Sequence, residues 1–241
     1  MFDWLRGEGW MPTVTWARVD PSRRAAVIEA AEAEFAAHGF SGGSLNVIAR
    51  RAQVAKGSLF QYFADKRDLY AFVADVASQR VRSYLEIRIR ELNSHRPFFD
   101  FLTDLLDDWI AYFAEHPHER ALHAAASLEV DSEARVSVQA VVHRHYLEVL
   151  RPLVRDAYTR GDLIADADTD VLLSLLLLLF PHLALAPHVR GMDPVLGLGE
   201  PTPEQPHLAV RRLVSVLAAA FASSSSPRSG PRDAVTEASC R

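Results

Sequence analysis

Cysteine is almost absent from this sequence: 241 residues hold a single one, Cys240, beside the C-terminus. That excludes an internal disulfide, suits a reducing cytoplasm and leaves Cys240 as a solvated tail thiol. An excess of positive charge is missing too, the formal net charge being −5. The chain as a whole is not attracted to nucleic acid, so any such binding has to be local. Pro21 to Tyr70 carries seven Lys or Arg against five Asp or Glu, which puts the acidic excess elsewhere. There is no Gly-rich phosphate loop, zinc-ligand set or nucleophile elbow, and the lone thiol sits in the tail, so neither an enzyme nor a cofactor is expected. The opening "MFDWLRGEGW" lacks the basic end and apolar run of a secretory leader, and Met11 offers an alternative start. Strand-type alternation and internal repeats are also absent. The nearest thing to a membrane span is "VLLSLLLLLF", Val171 to Phe180. Extended through "PHLALA" it makes about 24 Å of helix, short of the roughly 30 Å hydrocarbon core, and Pro181 interrupts it. A helix apolar all round is one buried on every side, so a buried or subunit-interface helix is expected and no membrane.

What the sequence does contain is helix signal from end to end. Asp20-Pro21 is an N-cap followed by proline at the first helical position, and Val27, Ile28, Ala31 and Phe35 form one stripe. Gly39 suits a left-handed C′ position, with Phe40 folding back on Phe35. Ser44 caps a short helix from Leu45 to Ala52, and a third runs from about Lys56 to Phe63. Asp65 caps a fourth, with Asp68 in a capping-box-like position, reaching about Leu92. Further helices are expected at Pro97 to His116, Pro117 to about Glu129, Ser132 to Arg160, Asp168 to about Leu185 and Pro206 to Ala222. The predicted organisation is an extension over 1–20, a compact module over 21–70 with its paired short helices at about 44–63, a helical domain over 71–222 and a disordered Ser-rich tail over 223–241.

"VAKGSLFQYFADK", Val54 to Lys66, stands apart because it mixes aromatics with small polar residues between two lysines. Two short helices joined by a tight turn, the second polar and slender, is the helix-turn-helix plan, whose second helix lies in the DNA major groove. On that plan Phe60 and Phe63 face the module's core and Leu59 borders the groove. Lys56, Ser58, Gln61 and Tyr62 project outward, and Gly57 lets the backbone come close to DNA. Lys66 stands at a helix start, where free N–H groups favour a phosphate.

The stretch from Arg23 to Tyr70 resembles the DNA-binding domain of the tetracycline-repressor (TetR) family of bacterial regulators. The resemblance is carried by "AAEAEFAAHGF" and "SLNVIARRAQVAKGSLFQYFADKRDLY". It implies an all-α fold: an N-terminal three-helix helix-turn-helix domain joined by a long helix to a helical effector-binding and dimerisation domain. By position it implies that Ser44 caps the second helix and touches a phosphate, that Asn46 contacts backbone or base, and that Lys56, Ser58 and Gln61 face the groove. Tyr62 and Lys66 would bind phosphate, and Gln61 could pair with adenine. The sequence departs from the family's pattern at Gln53 in the turn, Ala55 at the recognition-helix cap, Leu45 where Thr is common, and Phe60 where Tyr is frequent. Gln53 in a left-handed conformation costs about 1–2 kcal/mol, and the missing cap about 1 kcal/mol. These two departures also leave open a helical adaptor that has lost DNA binding.

The same resemblance implies a cytoplasmic homodimeric repressor released from a palindromic operator by a small effector. Helices at about 168–185 and 206–222 are expected to form the dimer, Ala218 to Ala220 permitting close approach. Trp109, Tyr112, Phe113, His123, His143 and Tyr146 are the candidate lining for a lipophilic or aromatic effector. His116/His118 and His143/His145 are spaced i,i+2 and lie on different helix faces, so no metal is expected. The effector would act by favouring a conformation in which the fourth helix pulls the recognition helices out of register.

Overall fold

The computed structural model of the chain describes residues 12–92, 96–199 and 204–223. The expectations for the alternative starts, for Cys240 and for residues 224–241 of the tail lie outside the described residues. The described residues form α1 (Val14–Ala17), α2 (Pro21–Gly42), α3 (Leu45–Arg51), α4 (Lys56–Tyr62), α5 (Lys66–Glu91), α6 (Phe98–Glu115), α7 (Pro117–Ser127), α8 (Ser132–Arg160), α9 (Thr169–Leu185) and α10 (Gln205–Phe221). Among them no strand forms, only an isolated bridge between Leu163 and Ala222. The protein is all-α.

Helix boundaries follow local chemistry. The Asp20 carboxylate accepts from the Ser22 and Arg23 N–H groups, Asp65 from Arg67 and Asp68, and Asp168 from Asp170 and Val171. Asp68 reaches back to the Ala64 N–H at 3.2 Å. Gly161 ends α8 at φ 81, a left-handed stop. Gly39 also takes positive φ, but with ψ −172 it kinks the end of α2 rather than closing a left-handed turn. Phe35 and Phe40 both pack on Tyr70, at 4.9 and 5.6 Å between ring centroids.

Two hydrophobic cores share α5. The first gathers α1 to α4 and the start of α5, and it also takes in Leu122, Ala126 and Val138 from α7 and α8. The second packs α6, α8, α9 and α10 around Trp109, Phe113 and Phe180. Packing therefore does not break at residue 70. Polar clips cross the same boundary. Glu32 on α2 meets Arg80 of α5 at 2.7 Å and His118 of α7 at 3.4 Å. Buried Glu129, just after α7, accepts from the Phe40 N–H at 2.8 Å and the Ser41 hydroxyl at 2.9 Å, and from Val130 and Asp131 N–H. Burial works to raise its pKa, but these hydrogen bonds outweigh it and hold the carboxyl below the usual value.

Among the described residues no helix is long and apolar enough to cross a membrane. Leu172, Leu173, Leu176 and Phe180 of α9 are buried, while Val171 and Leu178 are exposed. The residues apolar on all sides thus fill the core with one face and leave a second stripe uncovered by the chain's own packing.

Candidate nucleic-acid interface and effector cavity

α3, the turn and α4 are held by short-range backbone bonds: Val54 N–H to Ala49 O at 3.0 Å and Gln53 N–H to Arg50 O at 3.2 Å. Gln53 takes φ 55, the left-handed conformation expected at the turn. Ala55 is the N-cap of α4 and supplies no side-chain cap, also as expected. Ser44 occupies the N-cap of α3, but its side chain makes no capping bond; its N–H instead donates to Glu34 Oε1 at 3.1 Å.

The orientation of α4 differs from the expectation. Leu59, Tyr62 and Phe63 are buried and Phe60 is 49% exposed. The spacing i, i+3, i+4 gives the reason: three residues so spaced share one face, and Leu59, Tyr62 and Phe63 make that face continuous with the core. Phe60 lies on the opposite face with Lys56, Gly57 and Gln61, all exposed. Leu59 and Tyr62 therefore move from the outer set to the inner one, and Phe60 the other way. Ser58 is half-buried, Ser44 likewise, and Asn46 is exposed on α3. Lys66 is half-buried with its Nζ 4.5 Å above the Phe40 ring. Burial lowers its pKa against the pull of Glu129, Asp131 and Glu34, so the ammonium faces this acidic end of α2 and α7.

α4 has an anchor outside the paired short helices. Thr13 donates through its N–H to Tyr62 O at 2.9 Å and through its hydroxyl to Gln61 O at 2.5 Å, two carbonyls left over at the helix end. Trp16 lies buried against Tyr62, Phe63 and Phe72 at 5.4, 5.1 and 5.5 Å. Sequence reasoning treated this segment as an extension. The available signal was a tryptophan, Trp16, with Val14 and Val19 beside it just before the first cap.

Of the six residues expected to line an effector site, Trp109, Tyr112, Phe113, His123 and Tyr146 gather in one run of ring contacts, but only His123 and Tyr146 border a cavity. Trp109 and Phe113 are fully buried in the second core, where Trp109 Nε1–H donates to Phe180 O at 2.8 Å. Tyr112 is buried between Tyr84 at 4.3 Å and His116 at 4.1 Å. His143 is half-buried, its pKa lowered by burial, and lies off the cavity. Trp109, Tyr112 and Phe113 are packing residues because α6 turns its apolar face into the core. His123 and Tyr146 do line a cavity of about 40 Å³ between α5, α7 and α8. Tyr70, Arg82, Glu119 and His145 border it as well and were not anticipated, since three distant segments meet there. Among the described residues no group of three His, Cys, Asp or Glu is placed to hold a metal ion.

Residues 27–73 match the family model described as bacterial regulatory proteins, tetR family. The chain is 30% identical over 152 residues to the HTH-type transcriptional repressor SCO4008 of Streptomyces coelicolor, covering 63% of this chain and 72% of that protein. A putative transcriptional regulator from Pseudomonas aeruginosa superposes with TM-score 0.65 at 25% identity, covering 86% of this chain and 95% of that one. The regulator FadR from Bacillus subtilis, solved in complex with stearoyl-CoA, shares the fold with TM-score 0.58 at 16% identity, over 80% of this chain and 96% of its own.

Proposed function

Because the chain belongs to the TetR family of bacterial regulatory proteins, we propose that it represses transcription by binding a palindromic DNA operator as a homodimer and releasing it when a small lipophilic effector is bound. The observation that carries the reading is the two-faced α4. One stripe is locked into the core, and the other presents Lys56, Gly57, Phe60 and Gln61 to solvent. A slender exposed edge of that kind fits a major groove.

In this reading Lys56 meets a phosphate, Gln61 a base edge, and exposed Phe60 the methyl group of a thymine, an apolar contact available in the major groove. Ser44, Asn46 and Ser58 contact backbone or base. Tyr62 acts from inside, holding α4 in place, and Lys66 reaches a phosphate only on leaving Phe40. A Cβ on Gly57 would meet no protein atom within 4 Å, so nothing in the protein itself requires glycine there; close approach of DNA supplies a reason.

One recognition helix spans only a few base pairs, so two copies about one DNA turn, about 34–36 Å, apart are needed for a specific site. The uncovered stripe of α9, with Leu178 70% exposed, and Val216 of α10, 68% exposed, support a dimer through these helices. The stearoyl-CoA complex of the Bacillus subtilis neighbour supports a small-molecule effector. Such a molecule shifts the population of states only by its differential affinity for them.

The test is binding of a duplex enriched from a random library, measured against salt. Lys56→Ala is expected to weaken binding and lower the slope of log affinity on log salt by about one phosphate contact. Gln61→Ala should relax sequence preference while leaving that slope alone. A wild-type protein without salt-dependent duplex binding is instead the adaptor, and the proposal fails.

A further inference from the structure

The cavity between α5, α7 and α8 has an unusual lining. Tyr70 Oη, Arg82 Nε, His123 Nε2 and His145 Nδ1 are all buried without a hydrogen-bond partner, and all four residues border this one space. Buried polar groups left in this way are costly, and each calls for something to satisfy it. The formal charges at the rim are already committed: Arg82 to Glu86 and Glu148, and Glu119 to Arg80 at 3.6 Å. His145 is committed on one side as well, its Nε2–H donating to Asp75 Oδ1 at 2.7 Å. That bond leaves Nδ1 as the ring nitrogen over for the cavity. Burial pushes His123 down to about 4, so its ring is neutral at pH 7 and offers an acceptor nitrogen. Tyr70, raised by burial, keeps its proton and donates.

We propose that this cavity receives an uncharged, mainly apolar molecule bearing a hydroxyl or amide N–H, which donates to a histidine and accepts from Tyr70. The proposal rests on the effector reading above and narrows it. A carboxylate brings no donor for the neutral His123, and the Arg82 guanidinium at the rim is already shared by Glu86 and Glu148. An ammonium ion would meet the same burial that keeps His123 neutral. The free space there, about 40 Å³, has room for a few waters and not for an organic molecule. Occupancy therefore requires α5 to part from α7 and α8. Tyr70 carries that change to the DNA-binding core, because its ring is packed on Phe35 and Phe40 at the end of α2.

The test is calorimetric titration of the full chain with four probes built on one propylphenyl frame: 4-propylphenol, propylbenzene, 4-propylbenzoate and 4-propylbenzylammonium. The phenol is expected to bind about tenfold more tightly than propylbenzene, as for one or two buried hydrogen bonds, and both ions more weakly. Tyr70→Phe and His123→Leu should each collapse the phenol's advantage while holding or improving affinity for propylbenzene, which a misfolded variant could not do. Equal binding of phenol and propylbenzene, preference for either ion, or binding of none up to about 1 mM overturns the proposal. Duplex binding is scored separately. A chain that binds DNA but prefers the carboxylate remains a regulator with a different ligand class, whereas one that binds the phenol and no DNA keeps the cavity and loses the regulator.

Discussion

Inside α4, Gly57 occupies a position where alanine is the better helix former by up to about 1 kcal/mol. Gly57→Ala is therefore expected to raise the midpoint of thermal unfolding. The added methyl stands on the outer face, where overpacking against DNA costs about 1–3 kcal/mol, so the same variant should bind its operator about tenfold or more weakly. Opposite signs in the two assays would separate a functional glycine from a merely tolerated one. Gln53 at φ 55 and uncapped Ala55 make a pair of simpler predictions: Gln53→Gly and Ala55→Ser should each stabilise the fold by about 1 kcal/mol, read by denaturant midpoint. Both sites were legible in the sequence as departures from the pattern of the family it resembles, at a turn and a cap whose chemistry is local. The facing of Phe60 and Tyr62 was not, since two adjacent aromatics look alike until the i, i+3, i+4 stripe is tied to one core. His123 brings a pH dependence. Held neutral in the fold down to about 4 against an ordinary 6.5, it lets the unfolded chain bind more protons between those values, so stability falls as pH falls through that window. His123→Leu should flatten the decline, measured as unfolding free energy from pH 7 to 4.

At the scale of the element, most helices announced their own ends. Asp20 and Asp65 cap as expected, Asp168 caps the helix expected to start there, and α8 runs from Ser132 to Arg160 before Gly161 as the sequence suggested. α1 did not, because four residues make no period and its hold on α4 spans 48 positions. Trp16→Ala should cost about 3 kcal/mol, as for a buried aromatic, and raise amide exchange in α4 more than in α9. The α2–α7 junction was equally invisible, since Glu129 meets Phe40 across 89 positions. Glu129→Ala strands the Phe40 N–H in a partly buried site and is expected to cost about 1–3 kcal/mol. If α2 and α7 form one communicating unit, this variant should also weaken the response of DNA binding to any cavity ligand.

The whole molecule couples two cores through helices that contribute to both, α5 and α8. α5 begins beside α4, lines the cavity with Tyr70 and Arg82, and is pinned to α8 through Asp75, which His145 holds below the usual carboxylate range with help from Arg144. Parting α5 from α7 and α8 would move α4 with it, and in a dimer the two α4 copies move together. Leu178→Arg on the uncovered stripe of α9 should therefore leave each chain folded, shift the protein toward monomer in sedimentation, and cost most of its operator affinity. The cavity was illegible in sequence because no local pattern marks where three helices meet; the sequence pointed to α6 aromatics that the core consumes.

The most direct measurement is selection of bound fragments from random duplexes by the wild-type chain, followed by sequencing. A recognition edge on α4, presented twice, predicts enrichment of a two-fold symmetric site that Lys56→Ala and Gln61→Ala blur. Enrichment of no sequence, or of one without symmetry, would contradict it.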